Sequence, residues 1–174
     1  MKRGLTLTLL AAALAVAPAA ATTVMYVPIE RSIELSEMVV VGHVLRLETD
    51  YNQDGEIVTK VHLLVQEALK GSLKRGEVFV FDAWGGSLDG TTVETVGEAS
   101  YRLGEKVLVQ LESIDGEYHT LGLSFGKWNV VKGKDGVQSA VRSLSDLHLV
   151  GASETPVETL PLRRLRALIK KSAN

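Results

Sequence analysis

The sequence predicts an all-β fold, a small antiparallel meander barrel (OB-like) or a sandwich, closed by a C-terminal amphipathic helix. Three observations predict it. Apolar and polar residues alternate along 38–71, the period-two mark of half-buried strands. Three x-Asp-Gly triplets, at 53–55, 114–116 and 134–136, separate alternating runs and read as hairpin loops. Only residues 159–171 carry convincing helical spacing, with Leu162, Leu165, Leu168 and Ile169 in one stripe and Pro161 in the first turn. Barrel and sandwich need the same alternation, so both stay open.

Taken in order, residues 1–21 read as a secretory signal. Lys2 and Arg3 give the positive start, residues 5–17 the short apolar run, and Ala19, Ala20 and Ala21 the small-residue cleavage site. Cleavage near Ala21 implies a periplasmic or extracellular protein and moves the net charge from −2 to −4 by removing Lys2 and Arg3. The chain contains no Cys, so its core alone must hold it in an oxidising compartment. Residues 22–150 then form the β-barrel domain, and 151–174 a linker and the helix. Mild acidity without a basic stripe argues against nucleic acid. An edge strand is expected over 22–28, stopped by Pro28, and a helical turn over 32–38.

The long hairpin follows. Gln53, Asp54 and Gly55 make a three-residue loop, which matches odd positions with odd. Leu47 then faces Val61, Leu45 faces Leu63, and Glu48 falls opposite Lys60. Residues 77–82 form a third core strand. From Trp84 to Ser100 a long irregular stretch is expected, of the kind that is often functional. Val107, Val109 and Leu111 share one face of the next strand. The loop 114–116 pairs Leu111 with His119, Val109 with Leu121 and Val107 with Leu123. The third loop joins 127–132 to 137–142.

Four runs in this order, 39–44 (VVVGHV), 65–71 (VQEALKG), 103–109 (LGEKVLV) and 122–128 (GLSFGKW), resemble a group of small secreted bacterial β-barrel proteins of uncharacterised role. More remotely the chain is similar to the OB-type barrel of netrin modules and tissue inhibitors of metalloproteinases. That resemblance implies a barrel and, at its furthest, protease inhibition. The inhibitors chelate zinc through an N-terminal Cys; here Thr22 would be the first residue, and only its α-amine could serve.

Candidate chemistry is sparse. Asp50, Asn52 and Asp54 before Gly55 match the first half of a calcium loop, but the closing acid would fall at Val61, and a hairpin turn already accounts for Asp-Gly. The registers place His43 and His119 on the inward face, as a polar site or, more plainly, as hydrogen-bonded histidines near the barrel ends. His62 sits beside Arg46 on the wet face. Gly85 and Gly86, with Asp89 and Gly90, form neither a phosphate loop nor a nucleophile elbow. They read as a connector or as a recognition loop flanked by Trp84. Trp128 is a core plug or a contact residue. Arg163, Arg164, Arg166, Lys170 and Lys171 make the terminal helix basic; capping the barrel explains it better than a membrane surface. No cofactor is called for. The reading is a secreted, non-enzymatic binding or accessory module, its partner a secreted protease or envelope protein. The alternatives are a metalloprotease-inhibitor-like protein, or a hydrolase in which Asp82, Asp89, His43 and His119 would be the residues to mutate.

Overall fold

Strands start and stop where glycine, proline and charge punctuate the chain. The computed structural model describes residues 22–145, 147–151 and 157–172; the signal-like residues 1–21 lie outside them. The elements are β1 (Thr22–Met25), α1 (Ile29–Leu35), β2 (Met38–Tyr51), β3 (Ile57–Lys70), β4 (Val78–Leu88), β5 (Thr91–Glu94), β6 (Lys106–Ile114) and β7 (Glu117–Thr120). After a 3-10 turn at Leu123–Gly126 come β8 (Lys127–Lys132), β9 (Gln138–Ser143), β10 (Leu147–Val150), β11 (Val157–Pro161) and α2 (Leu162–Ser172). The fold is therefore all-β with a C-terminal helix.

Five strands close a barrel. β2 pairs β3, β3 pairs β4, β4 meets β7, β7 pairs β6, and β6 returns to β2. The β4–β7 contact is parallel, at Asp82 and His119, so this is no simple meander. The barrel strands run in the order first, second, third, fifth, fourth, which closes the sheet and decides for an OB-type barrel over a sandwich. Val40, Val44, Val61, Leu63, Phe81, Val107, Val109 and Leu111 fill its interior.

β6 divides its pairing between two strands of the same sheet. Its residues 111–114 pair β7, whereas Val107–Val109 pair β8. From there β8, β9 and β11 extend the sheet away from the barrel. The face that β2, β6 and this extension turn away from the barrel interior, with Val39, Val41, Leu108, Trp128 and Ala140, is buried under Ile33 of α1 and Leu162, Leu165 and Ile169 of α2. β2 and β6 are thus apolar on both faces. Parallel β1 and β10 cover a third, smaller core at Phe125, Leu144 and Leu147.

The first hairpin keeps most of its predicted register: Leu47 opposes Val61, Glu48 opposes Lys60, and Gly55 takes φ 79°. Leu45 is a correction. A bulge between Val44 and Arg46 gives Val44 to Leu63 and leaves Leu45 exposed, because an inserted residue reverses the side chains beyond it. The second hairpin is also corrected. Asp115 and Gly116 both adopt positive φ, 51° and 90°, so the loop has two residues, as Asp-Gly permits. Leu111 then opposes Thr120, and His119 opposes Glu112, which turns His119 out of the barrel. The expected Val109–Leu121 and Val107–Leu123 pairs give way to β8. The third hairpin stands as predicted, with Lys132 opposite Gln138.

Two further expectations change. The stretch after Trp84 is not irregular throughout: β4 continues to Leu88, and Asp89 and Gly90, at φ 50° and 80°, turn it into β5. The terminal helix starts at Leu162, not Thr159, because Thr159 and Leu160 find strand partners in Val141 and Ala140. Part of the expected linker lies outside the described residues; β11 and α2 pack on the barrel's own sheet.

Candidate functional site at the barrel mouth

The β4–β5 hairpin stands over one end of the barrel and frames a cleft of about 840 Å³. Leu47, Thr49 and Thr59 of β2 and β3 form one wall; β4, β5 and residues 95–101 form the rest. Two glycines let β4 pass so closely. Gly85 sits at φ 92°, and a Cβ there would meet the Val93 carbonyl at 2.5 Å; Gly86 sits at φ 146°, and its Cβ would meet Thr49 Cγ2 at 2.7 Å. Side chains at either position would meet both strain and collision. Thr59 Oγ1 donates to the Gly85 carbonyl at 2.8 Å and ties hairpin to wall.

Glu98 is the unusual group. Both carboxylate oxygens are closed to solvent and have no hydrogen-bond partner among the described residues. The amides of Ala99 and Trp84 are near enough to favour ionisation, yet neither makes a hydrogen bond of good geometry. Burial dominates and pushes the carboxyl up to about 7. Neighbouring Tyr101 shares a hydroxyl hydrogen bond with Thr120 at 2.7 Å and packs edge-on against Phe81. Lys127 Nζ lies 4.4 Å over the Tyr101 ring, donates to the Ser100 carbonyl, and pairs with Glu105 at 2.7 Å. Residues 98–101 are thereby anchored to the barrel.

On the outer wall Trp84 stacks on His119, ring centroids 4.2 Å apart and 8° from parallel. His119 is buried, as is Asp82, which is 3.5 Å from Lys60 Nζ. Burial lowers the His119 pKa and raises that of Asp82, so His119 is neutral at neutral pH.

The other residues singled out from the sequence fall elsewhere. His43 pairs with Leu64 and Lys106 along β2, on the side opposite interior Val44, and does not join His119; the bulges of β2 and the shortened second loop overturn that meeting. His62 lies in reach of Arg46 and Glu48. Asp89 belongs to the β4–β5 turn. Trp128 is 1% exposed and stacks on the Arg142 guanidinium, which makes it core rather than contact. Asn52 Oδ1 accepts the amides of Asp54 and Glu56, so it is committed to the turn. Among the described residues no three His, Asp or Glu side chains gather as a metal would require. Sequence reasoning missed Glu98, which no motif marks, and β5, which the Asp-Gly pair at 89–90 does mark.

Comparisons of the chain with protein-family models, with curated proteins and with solved structures find no match. Function has to be read from the site itself.

Proposed function

We propose that the protein is a secreted or periplasmic, non-enzymatic binding module that holds a protein partner at the barrel mouth. The cleft supports this reading. It is open, framed by a hairpin, and its lining holds no His, Lys or Arg that would activate one of its hydroxyls. Barrels of this type bind through loops at one end. Secretion rests on the signal-like residues 1–21, and a secreted protease or an envelope protein is the kind of partner that compartment offers. One observation favours a hydrolase as second reading: a carboxyl near 7, as at Glu98, suits acid–base work. Inhibition of a metalloprotease rests on the resemblance alone; Thr22 is paired with Leu147 in β1, so its amine would leave from a strand.

A photo-crosslinking residue at Thr92, in the cleft, and another at Arg163, on α2, test the binding role in the native host. One stoichiometric partner is expected from Thr92 and none from Arg163, with capture lost when Val93 and Glu94 are both replaced. Equal labelling from the two positions, or none from Thr92, overturns it.

A further inference from the structure

We propose that the free edge of β5 receives an extended, basic segment of the partner as an added strand. The inference rests on the binding role above and names the chemistry of its ligand.

β5 ends its sheet. It pairs β4 on one side, and among the described residues no strand pairs its other edge. Thr91–Glu94 are all exposed. In an antiparallel strand, alternate residues point both amide and carbonyl to the same side, so four residues offer roughly four unpaired groups to a newcomer.

The surroundings say where the newcomer's side chains would go. A second cleft of about 420 Å³ lies on the other side of β5, against Tyr51, Glu56 and Ile57. Thr91 lines only this smaller cleft, and Thr92 and Glu94 line only the larger one. Val93 between them lines both, so β5 runs along the partition where the two clefts adjoin. An added strand would prolong that partition and send successive side chains alternately into the two clefts. Half-exposed Tyr51 and Val93 give it apolar footing.

Charge selects the segment. Across both clefts the ionisable side chains are Glu56, Glu94, Glu98 and two tyrosines; no Lys, Arg or His lines either. Glu98 keeps two oxygens without a partner, an arrangement completed by an ammonium or guanidinium once residues 97–99 give a little. A second copy of β5 would set Glu94 and its acidic neighbours against their like, and is disfavoured for that reason.

The test is an NMR titration of the isotope-labelled protein at about pH 8, where Glu98 is ionised. Three acetylated, amidated hexapeptides serve as probes: one alternating Val and Lys, one alternating Val and Glu, and the Lys peptide N-methylated at every residue, so that neither of its edges can donate. The Lys peptide is expected to shift the amides of β5, Trp84 and Ala99 and to slow hydrogen exchange along β5. It should bind at least about tenfold tighter than the Glu peptide and lose about as much against a Glu94→Gln, Glu98→Gln double variant. The N-methylated peptide keeps every charge but cannot complete the ladder, and should fail to bind. Equal binding of the N-methylated peptide overturns strand addition, and equal binding of the Glu peptide overturns charge selection. Response to a neutral oligosaccharide such as chitohexaose, with none to any peptide, replaces the ligand class. If Thr92 crosslinking still captures a partner while the Lys peptide does not bind, this inference falls and the binding role stands. If neither occurs, both fall.

Discussion

Glu98 holds a proton that the unfolded chain would release. Its carboxyl titrates near 7 in the folded protein against an ordinary 4.5. Between those values the folded state binds the extra proton, so stability falls as pH rises through the window. Below it both states are protonated, and the group contributes nothing. Above it the full penalty applies, about 3 kcal/mol at the ceiling set by 1.36 kcal/mol per unit. Glu98→Gln is therefore expected to unfold at higher urea than the wild type at pH 8, by about 2–3 kcal/mol, and at nearly equal urea at pH 4. Denaturation curves at the two values check it, and a variant less stable at pH 8 would mean that the ionised carboxylate has a favourable partner. Sequence reading had no access to this group. A Gly-Glu-Ala triplet in a connector reads as solvated, and only the folding of residues 95–101 onto the mouth removes its water.

At the scale of elements, α2 shows how far an amphipathic pattern can be trusted. Its Leu162, Leu165 and Ile169 are buried against α1 and the β8–β9 extension, as the stripe implied, while Arg163, Arg164 and Lys170 face water. Leu165→Ala should cost about 2–4 kcal/mol of unfolding free energy, the range for a buried leucine whose site relaxes only in part. Arg163→Ala should stay within about 0.5 kcal/mol. Paired urea titrations check both; a small loss at Leu165 would mean that α2 is not docked. The hairpins teach a finer lesson. The triplets at 53–55 and 134–136 gave correct registers next to their loops, up to the bulge at Val44 in the first hairpin, because one residue, Gly55 or Gly136, supplies the positive φ. At 114–116 Asp115 joins Gly116 there, the loop shortens by one, and His119 leaves the interior. The same two-residue turn at Asp89 and Gly90 builds β5, the strand on which the proposed site depends.

For the whole molecule, the telling feature is that β2 and β6 belong to two cores. Their even and odd positions both carry apolar side chains, one set into the barrel and the other under the helices. Neither core can open without stripping the other, which predicts one cooperative transition. The two tryptophans report separately: Trp84 sits on the barrel wall and Trp128 in the second core. Single-tryptophan variants, Trp84→Phe and Trp128→Phe, should show coincident fluorescence midpoints in urea, matching far-ultraviolet dichroism. Midpoints that separate would show the barrel and its extension to be independent units.

The sequence by itself determined the all-β class, most strand positions, two of three hairpin registers and the helix stripe, because alternation, Asp-Gly turns and helical spacing are local and period-bound. The tertiary structure decided what depends on distant partners. It joined β4 to β7 and so made a barrel. It divided β6 between β7 and β8, turned Trp128 inward and His119 outward, gathered the acidic clefts around β5, and closed the Glu98 carboxylate off from solvent. A residue's environment is set by chain segments that meet only after folding, and no local pattern in the sequence encodes which of those segments will exclude its water.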